Sequence, residues 1–284
     1  TTGEQNVLVG SLAGDALTDA DFNIAIGRAA LSGDTLGSKT TAIGHEVFGV
    51  QNFTTATDSF NTGVGFQAGA AVTTGKSNTL IGGLAGDALT SGEENTAVGV
   101  AALTSDTQGT GTTAIGRKTL QVCNFTTSTT TRNTAVGFET GSAVTTGVFN
   151  TLIGSNAGDA LTDADSNVAV GVNSLGTDTL GSRSTAVGLS ALQTQNFTTA
   201  TDSHNTAVGN QAGFAVTTGT KGTFIGSEAG IAVNTGTENT CVGFQAGVNL
   251  QSGSNNTYIG SLAGFNTTNG GNNVCLLYTS PSPR

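Results

Sequence analysis

A five-residue phrase close to Asn-Thr-Ala-Val/Ile-Gly recurs along the whole chain. Its glycines fall at Gly10, Gly27, Gly44, Gly65, Gly82, Gly99, Gly116, Gly137, Gly154, Gly171, Gly188, Gly209, Gly226, Gly243 and Gly260. Successive spacings run 17, 17, 21, 17 and then repeat, so fifteen rungs sit inside a super-period of 72 residues. A fixed period of this kind marks a repeat architecture in which each unit buries its apolar face against its neighbours. Composition agrees. The 284 residues include 43 Gly but only 13 Phe and two Tyr, with no Trp or Met, too few large side chains for an ordinary core.

Each column of the repeat carries a physical signal. The residue before the anchor glycine is Val or Ile in every rung, and two residues earlier stands Thr, Val or Ile. Paired β-branched residues in alternation mark a short strand. Small Ala commonly follows the anchor by three residues, as at Ala13, Ala30, Ala68 and Ala85, and Leu or Val by seven, as at Leu17, Val72 and Leu89. Glycines such as Gly75 and Gly92 close the rung. One rung is therefore expected to be one coil, and the fold class is all-β: a parallel β-solenoid or β-roll of about fifteen stacked 17- or 21-residue coils over residues 1–274. Asn opens most of the strands (Asn6, Asn23, Asn61, Asn78 and onward), as either an amide ladder or a turn residue tolerant of unusual backbone angles.

The Val/Ile column is expected to line the coil's interior. The residue between the two β-branched ones (Leu8, Ala25, Ala42, Gly63, Leu80, Ala97 and onward) then points to the opposite face, and it too is almost entirely apolar. A strand apolar on both faces is buried on both. Lateral association, as a parallel homotrimer, is the expected outcome; coverage by the chain's own return strand is the alternative.

The phrases NTGVGFQAGAAVTTGKSNTLIG (Asn61–Gly82) and NTAVGNQAGFAVTTG (Asn205–Gly219) resemble the 17-residue repeats in the shafts of bacteriophage and environmental-virus tail fibres. The Asn-x-Ala-Val/Ile-Gly phrase is also similar to head repeats of trimeric autotransporter adhesins. The resemblance spans Thr1 to about Val274 and departs from both at the 21-residue rungs. It implies a trimeric, non-enzymatic structural or adhesive fibre, located on a virion tail or at the cell surface. The chain opens mid-rung with Thr1-Thr2-Gly3, and residues 275–284 resemble translated sequencing-adapter sequence. The expectation is a fragment of a longer fibre with a disordered, artefactual tail from Cys275.

Candidate chemistry is sparse. A net charge of −10 disfavours nucleic acid, whose binders carry a basic footprint, and no apolar run is long enough to insert in a membrane. Cys123 and Cys241 lie seven rungs apart, too far to bridge. His45 and His204 occupy non-equivalent positions without a nucleophile–base arrangement, and the acidic turns (Asp15, Asp19, Asp21 and their repeats) read as solvated charge rather than calcium ligands. No cofactor or metal is expected. The long rungs each carry one phrase, giving candidate glycan- or receptor-contact loops at Asn52, Phe53, Thr54; Asn124, Phe125, Thr126; and Asn196, Phe197, Thr198. The bland alternative is that each Phe plugs the loop from beneath. An alternative function is ice binding through a Thr column eight residues after the anchor (Thr18, Thr35, Thr73, Thr90, Thr107 and onward), interrupted by Asn52, Asn124 and Asn196.

Overall fold

The computed structural model describes residues 2–277. Among them the chain is all-β, a parallel β-solenoid of about sixteen turns, with no helix long and apolar enough to cross a membrane. It forms two compact units, Thr1–Phe149 and Asn150–Arg284. Each repeat phrase becomes a three-residue strand. In the first unit these run from Val7–Val9 through Thr41–Ile43 and Thr79–Ile81 to Thr134–Val136; in the second they run from Thr151–Ile153 through Thr206–Val208 to Val274–Leu276.

Within each unit every strand pairs in parallel with its equivalent in the next coil, like residue over like: Thr79↔Thr96, Leu80↔Ala97, Ile81↔Val98, and Thr223↔Thr240, Phe224↔Cys241, Ile225↔Val242. The ladder continues around the turns, where Ile24 N–H donates to Thr40 O at 2.9 Å and Thr90 N–H to Thr107 O at 2.8 Å. Corners are made by left-handed residues two and four places after the anchor and one place before the Asn. These positions accept even Phe48 (φ 50°) and Phe60 (φ 51°), because the inter-coil bonds on both sides dictate the backbone.

The anchor is glycine for a harder reason. Its φ lies near 135° at Gly44 and Gly82, a region closed to other residues. A Cβ on Gly82 would also stand 2.5 Å from the Gly99 carbonyl oxygen in the next coil. The Asn column resolves into a side-chain-to-backbone ladder. Asn78 N–H donates to Asn61 Oδ1 at 2.9 Å, while Asn78 Nδ2 donates to Gly92 O at 2.9 Å. Amide-to-amide exchange occurs at Asn256 and Asn273, and the strained backbone angle belongs to the residue before each Asn.

The facing of the strands corrects the sequence expectation. The middle residue is the buried one: Ala25, Ala42, Leu80, Ala97, Leu152 and Ala169 are fully enclosed within a single chain. The β-branched residues on either side face outward, with Ile81 and Ile115 each 37% exposed. The stripe proposed as an intermolecular seam is therefore the coil's own interior. The physical reason is volume. A coil this thin holds one large side chain at the middle of the strand or four residues after the anchor, not at both. Ala25, Ala97 and Ala169 accompany Leu31, Leu103 and Leu175, whereas Leu80 and Leu152 accompany Gly86 and Gly158. A Cβ on Gly86 would sit 2.8 Å from Leu80 Cδ2. Gly63, the smallest middle residue, lies over Phe48, whose ring carbon would be 2.7 Å from an added Cβ.

The ladder also runs further than the sequence suggested. Strand Val274–Leu276 pairs with Thr257–Ile259, setting Tyr258 beside Cys275. Backbone pairing asks only for an extended segment, and Cys275 repeats the small apolar character of Cys241. The remainder of the expected disordered tail, residues 278–284, lies outside the described residues.

Two neighbouring substitutions separate the two facings. Ala114→Asp puts a carboxylate into the closed interior and should lower stability by several kcal/mol. Ile115→Asp, on the outward face, should cost about 1 kcal/mol through strand propensity. Thermal melts of the two variants check this. Gly82→Ala should be comparably damaging, since both its backbone angle and its contact with Gly99 exclude a side chain.

Candidate functional site

The three long rungs are built alike. Each is preceded by a short coil with a buried Asp where other coils place Leu or Val, and each carries Gln or Cys at the same height: Asp34 with Gln51, Asp106 with Cys123, Asp178 with Gln195. Two-residue parallel strands clamp the insertions, Gly37–Ser38 to Thr57–Asp58, Gly109–Thr110 to Thr129–Thr130, and Gly181–Ser182 to Thr201–Asp202.

Asp34 organises the first of these loops. Its Oδ1 accepts from Gly37 N–H at 3.0 Å and Phe53 N–H at 3.1 Å, and its Oδ2 from Gln51 Nε2 at 2.7 Å. Gln51 also donates to Thr40 Oγ1 at 3.0 Å and accepts from Asn61 Nδ2 at 2.8 Å. Asp178, Gln195, Ser184 and Asn205 reproduce the arrangement in the second unit. Such a network tolerates burial because every member is satisfied.

These networks decide what the loops display. Phe53, Phe125 and Phe197 are each only 6% exposed; a Cβ on Gly37 would lie 2.7 Å from the Phe53 ring. The aromatic is a plug beneath the loop. Asn52, Asn124 and Asn196 are exposed, and their Oδ1 atoms accept from Thr35, Thr107 and Thr179 hydroxyls at 2.9, 3.1 and 3.1 Å. Thr54, Thr126 and Thr198 project to solvent at the loop tips. The displayed chemistry is thus hydroxyl and amide.

The Thr column after the anchor is engaged elsewhere. Thr18, Thr73 and Thr90 hydroxyls donate to the next coil's backbone carbonyls, Thr35 O, Thr90 O and Thr107 O, at 3.0, 3.2 and 2.9 Å. Its role is to lock one coil to the next. A different Thr column stands free. The residue opening each strand is Thr in most coils, half-buried and outward, and among the described residues these hydroxyls make no hydrogen bond within the chain.

The remaining candidates form surface ladders rather than reactive centres. His45 Nε2 lies 3.0 Å from Arg28 and its ring stacks on Phe66 at 5.3 Å; Glu46 pairs with Arg28 at 3.0 Å. The Glu46 carboxyl is held below its usual range, chiefly by the Gln67 hydrogen bond. Among the described residues no three His, Cys, Asp or Glu side chains converge on a metal position. Cys123 and Cys241 are free and buried, and desolvation pushes the Cys241 thiol up to about 12.

One loop is incomplete. With Cys123 in place of Gln, Asp106 Oδ2 is buried without a partner. Desolvation raises the Asp106 pKa, although backbone N–H groups of Phe125 and Gly109 act against it. A carboxyl harder to ionise when folded destabilises the native state progressively as pH climbs from the ordinary carboxylate value through the raised one. Cys123→Gln should supply the missing donor, stabilise the chain by about 1–3 kcal/mol at neutral pH, and flatten that decline. Denaturant melts across the acidic range provide the check, and a less stable variant would contradict the packing described.

Compared with protein-family models, curated proteins and solved structures, the chain matches none.

Proposed function

We propose that the chain is a non-enzymatic structural shaft, of the kind used in viral tail fibres or surface adhesins, that displays polar loop tips at regular intervals. One observation carries the reading: the strand and inter-coil positions hold the ladder together, while exposed turn positions change freely from rung to rung. The position just after the anchor, for example, runs through Arg28, His45, Phe66, Gly83, Val100 and Arg117. Coil stability is then nearly independent of what the surface presents, which suits a repeat scaffold. Complementary charges and cation–ring pairs also meet along the axis, as in Lys221 with Glu238 at 2.9 Å and Arg117 over the Phe138 ring at 5.3 Å.

Self-association as a parallel homotrimer belongs to this proposal. Its support is the exposed apolar set Phe66, Val100 and Phe138 in the first unit and Val172, Leu189 and Phe244 in the second, all at the position after the anchor. A host-surface glycan or protein is the proposed partner of the loop tips, engaged many times at once. Such a fibre works outside the cell or on the virion.

Sedimentation equilibrium of the full chain should give a trimer. A monomer at all concentrations would remove the assembly. On a glycan array, Thr54→Glu, Thr126→Glu and Thr198→Glu together should abolish whatever binding the parent shows without moving its melting temperature. Binding that survives the triple change would place recognition elsewhere than the loop tips.

A further inference from the structure

We propose that the outward face of the sheet in each unit is an ice-binding surface, a function beyond the shaft role and on a different face from the loop tips. In the first unit Thr41, Thr62, Thr79, Thr96, Thr113 and Thr134 are stacked in unbroken register. Two residues along each strand, Ile43 through Val136 form a second column, and the buried Ala or Leu between them leaves nothing protruding. The second unit repeats this from Thr185 to Thr257.

The geometry is a two-dimensional grid. Successive coils place equivalent side chains about 4.8 Å apart, and residues two apart on a strand lie about 6.6 Å apart. The first of these lies close to the shorter oxygen repeat on prism faces of hexagonal ice. The Thr hydroxyls, having no partner within the chain, are available to hold water, and their fixed spacing makes each anchored water equivalent to the next. The methyl groups of Thr, Val and Ile restrict the water between them, as apolar surface does. β-branched side chains are stiff at χ1, so the grid is preorganised.

Charge points to the same occupant. No Asp, Glu, Lys, Arg or His occupies either column in any coil. Charged residues are instead confined to neighbouring columns, where Lys39 pairs with Asp58 at 2.6 Å and Lys76 with Glu93 at 3.5 Å. A neutral face edged by paired charges complements a neutral lattice. A second copy of the chain is the competing occupant of this face.

The test is thermal hysteresis and partition into growing ice by the full chain, with circular dichroism to verify folding. The parent should shape ice crystals and partition into them. Thr96→Tyr with Thr206→Tyr, one bulge per unit, should abolish both effects, while Ser91→Tyr on another surface should leave them intact. Thr96→Val with Thr206→Val preserves shape and removes the hydroxyls; it should fold like the parent and show reduced hysteresis. A folded parent without hysteresis or partition would overturn the proposal, as would hysteresis unchanged by the Tyr pair. So would an oligomer that the Tyr pair dissociates, which would assign the face to a second copy.

Discussion

The in-register backbone ladder between successive coils is the constraint on which everything else rests. Because most backbone N–H and C=O groups find their partner one coil away, the chain can adopt left-handed corners that most residues avoid and hold them at dozens of positions. The same close stacking forbids a side chain at the anchor, where backbone approaches backbone. It also lets the Asn at most strand openings serve two coils at once, accepting from the next coil's N–H and donating to a carbonyl fourteen residues on.

A ladder that supplies the order leaves the interior little to do but avoid voids. Hence small Ala and Gly, with a few larger side chains per coil, suffice to fill it. The long rungs are the exception, filled by a Phe plug and a polar network around a buried Asp. The middle one, with Cys123 facing Asp106, shows what the network loses when one amide is missing.

The period, the strand positions, the turn glycines and the stacking of like residues were all legible in the sequence, since each rests on spacing alone. The facing of the strand was not. Alternation says that neighbours point opposite ways but not which way is in, and Val and Ile weigh more heavily than Ala on any hydrophobic scale. The deciding signal lay in pairs: Ala25 with Leu31 against Leu80 with Gly86 exposes a shared volume. The loop networks were missed for a similar reason, because Asp34 and Gln51 look like ordinary turn residues until their 17-residue separation stacks them. The outward Thr and Val/Ile columns, read as core, turned out to be the surface with the most regular chemistry.

The inward facing of the strand's middle residue is the central claim, and the native thiols report on it without any substitution. Cys241 occupies that middle position and is fully buried, Cys123 is buried in its loop, and Cys275 is partly open. Thiol titration of the folded chain, followed by peptide mapping, should label Cys275 and spare Cys241 and Cys123 until denaturant is added. Prompt labelling of Cys241 in the folded protein would mean that the strand faces the other way.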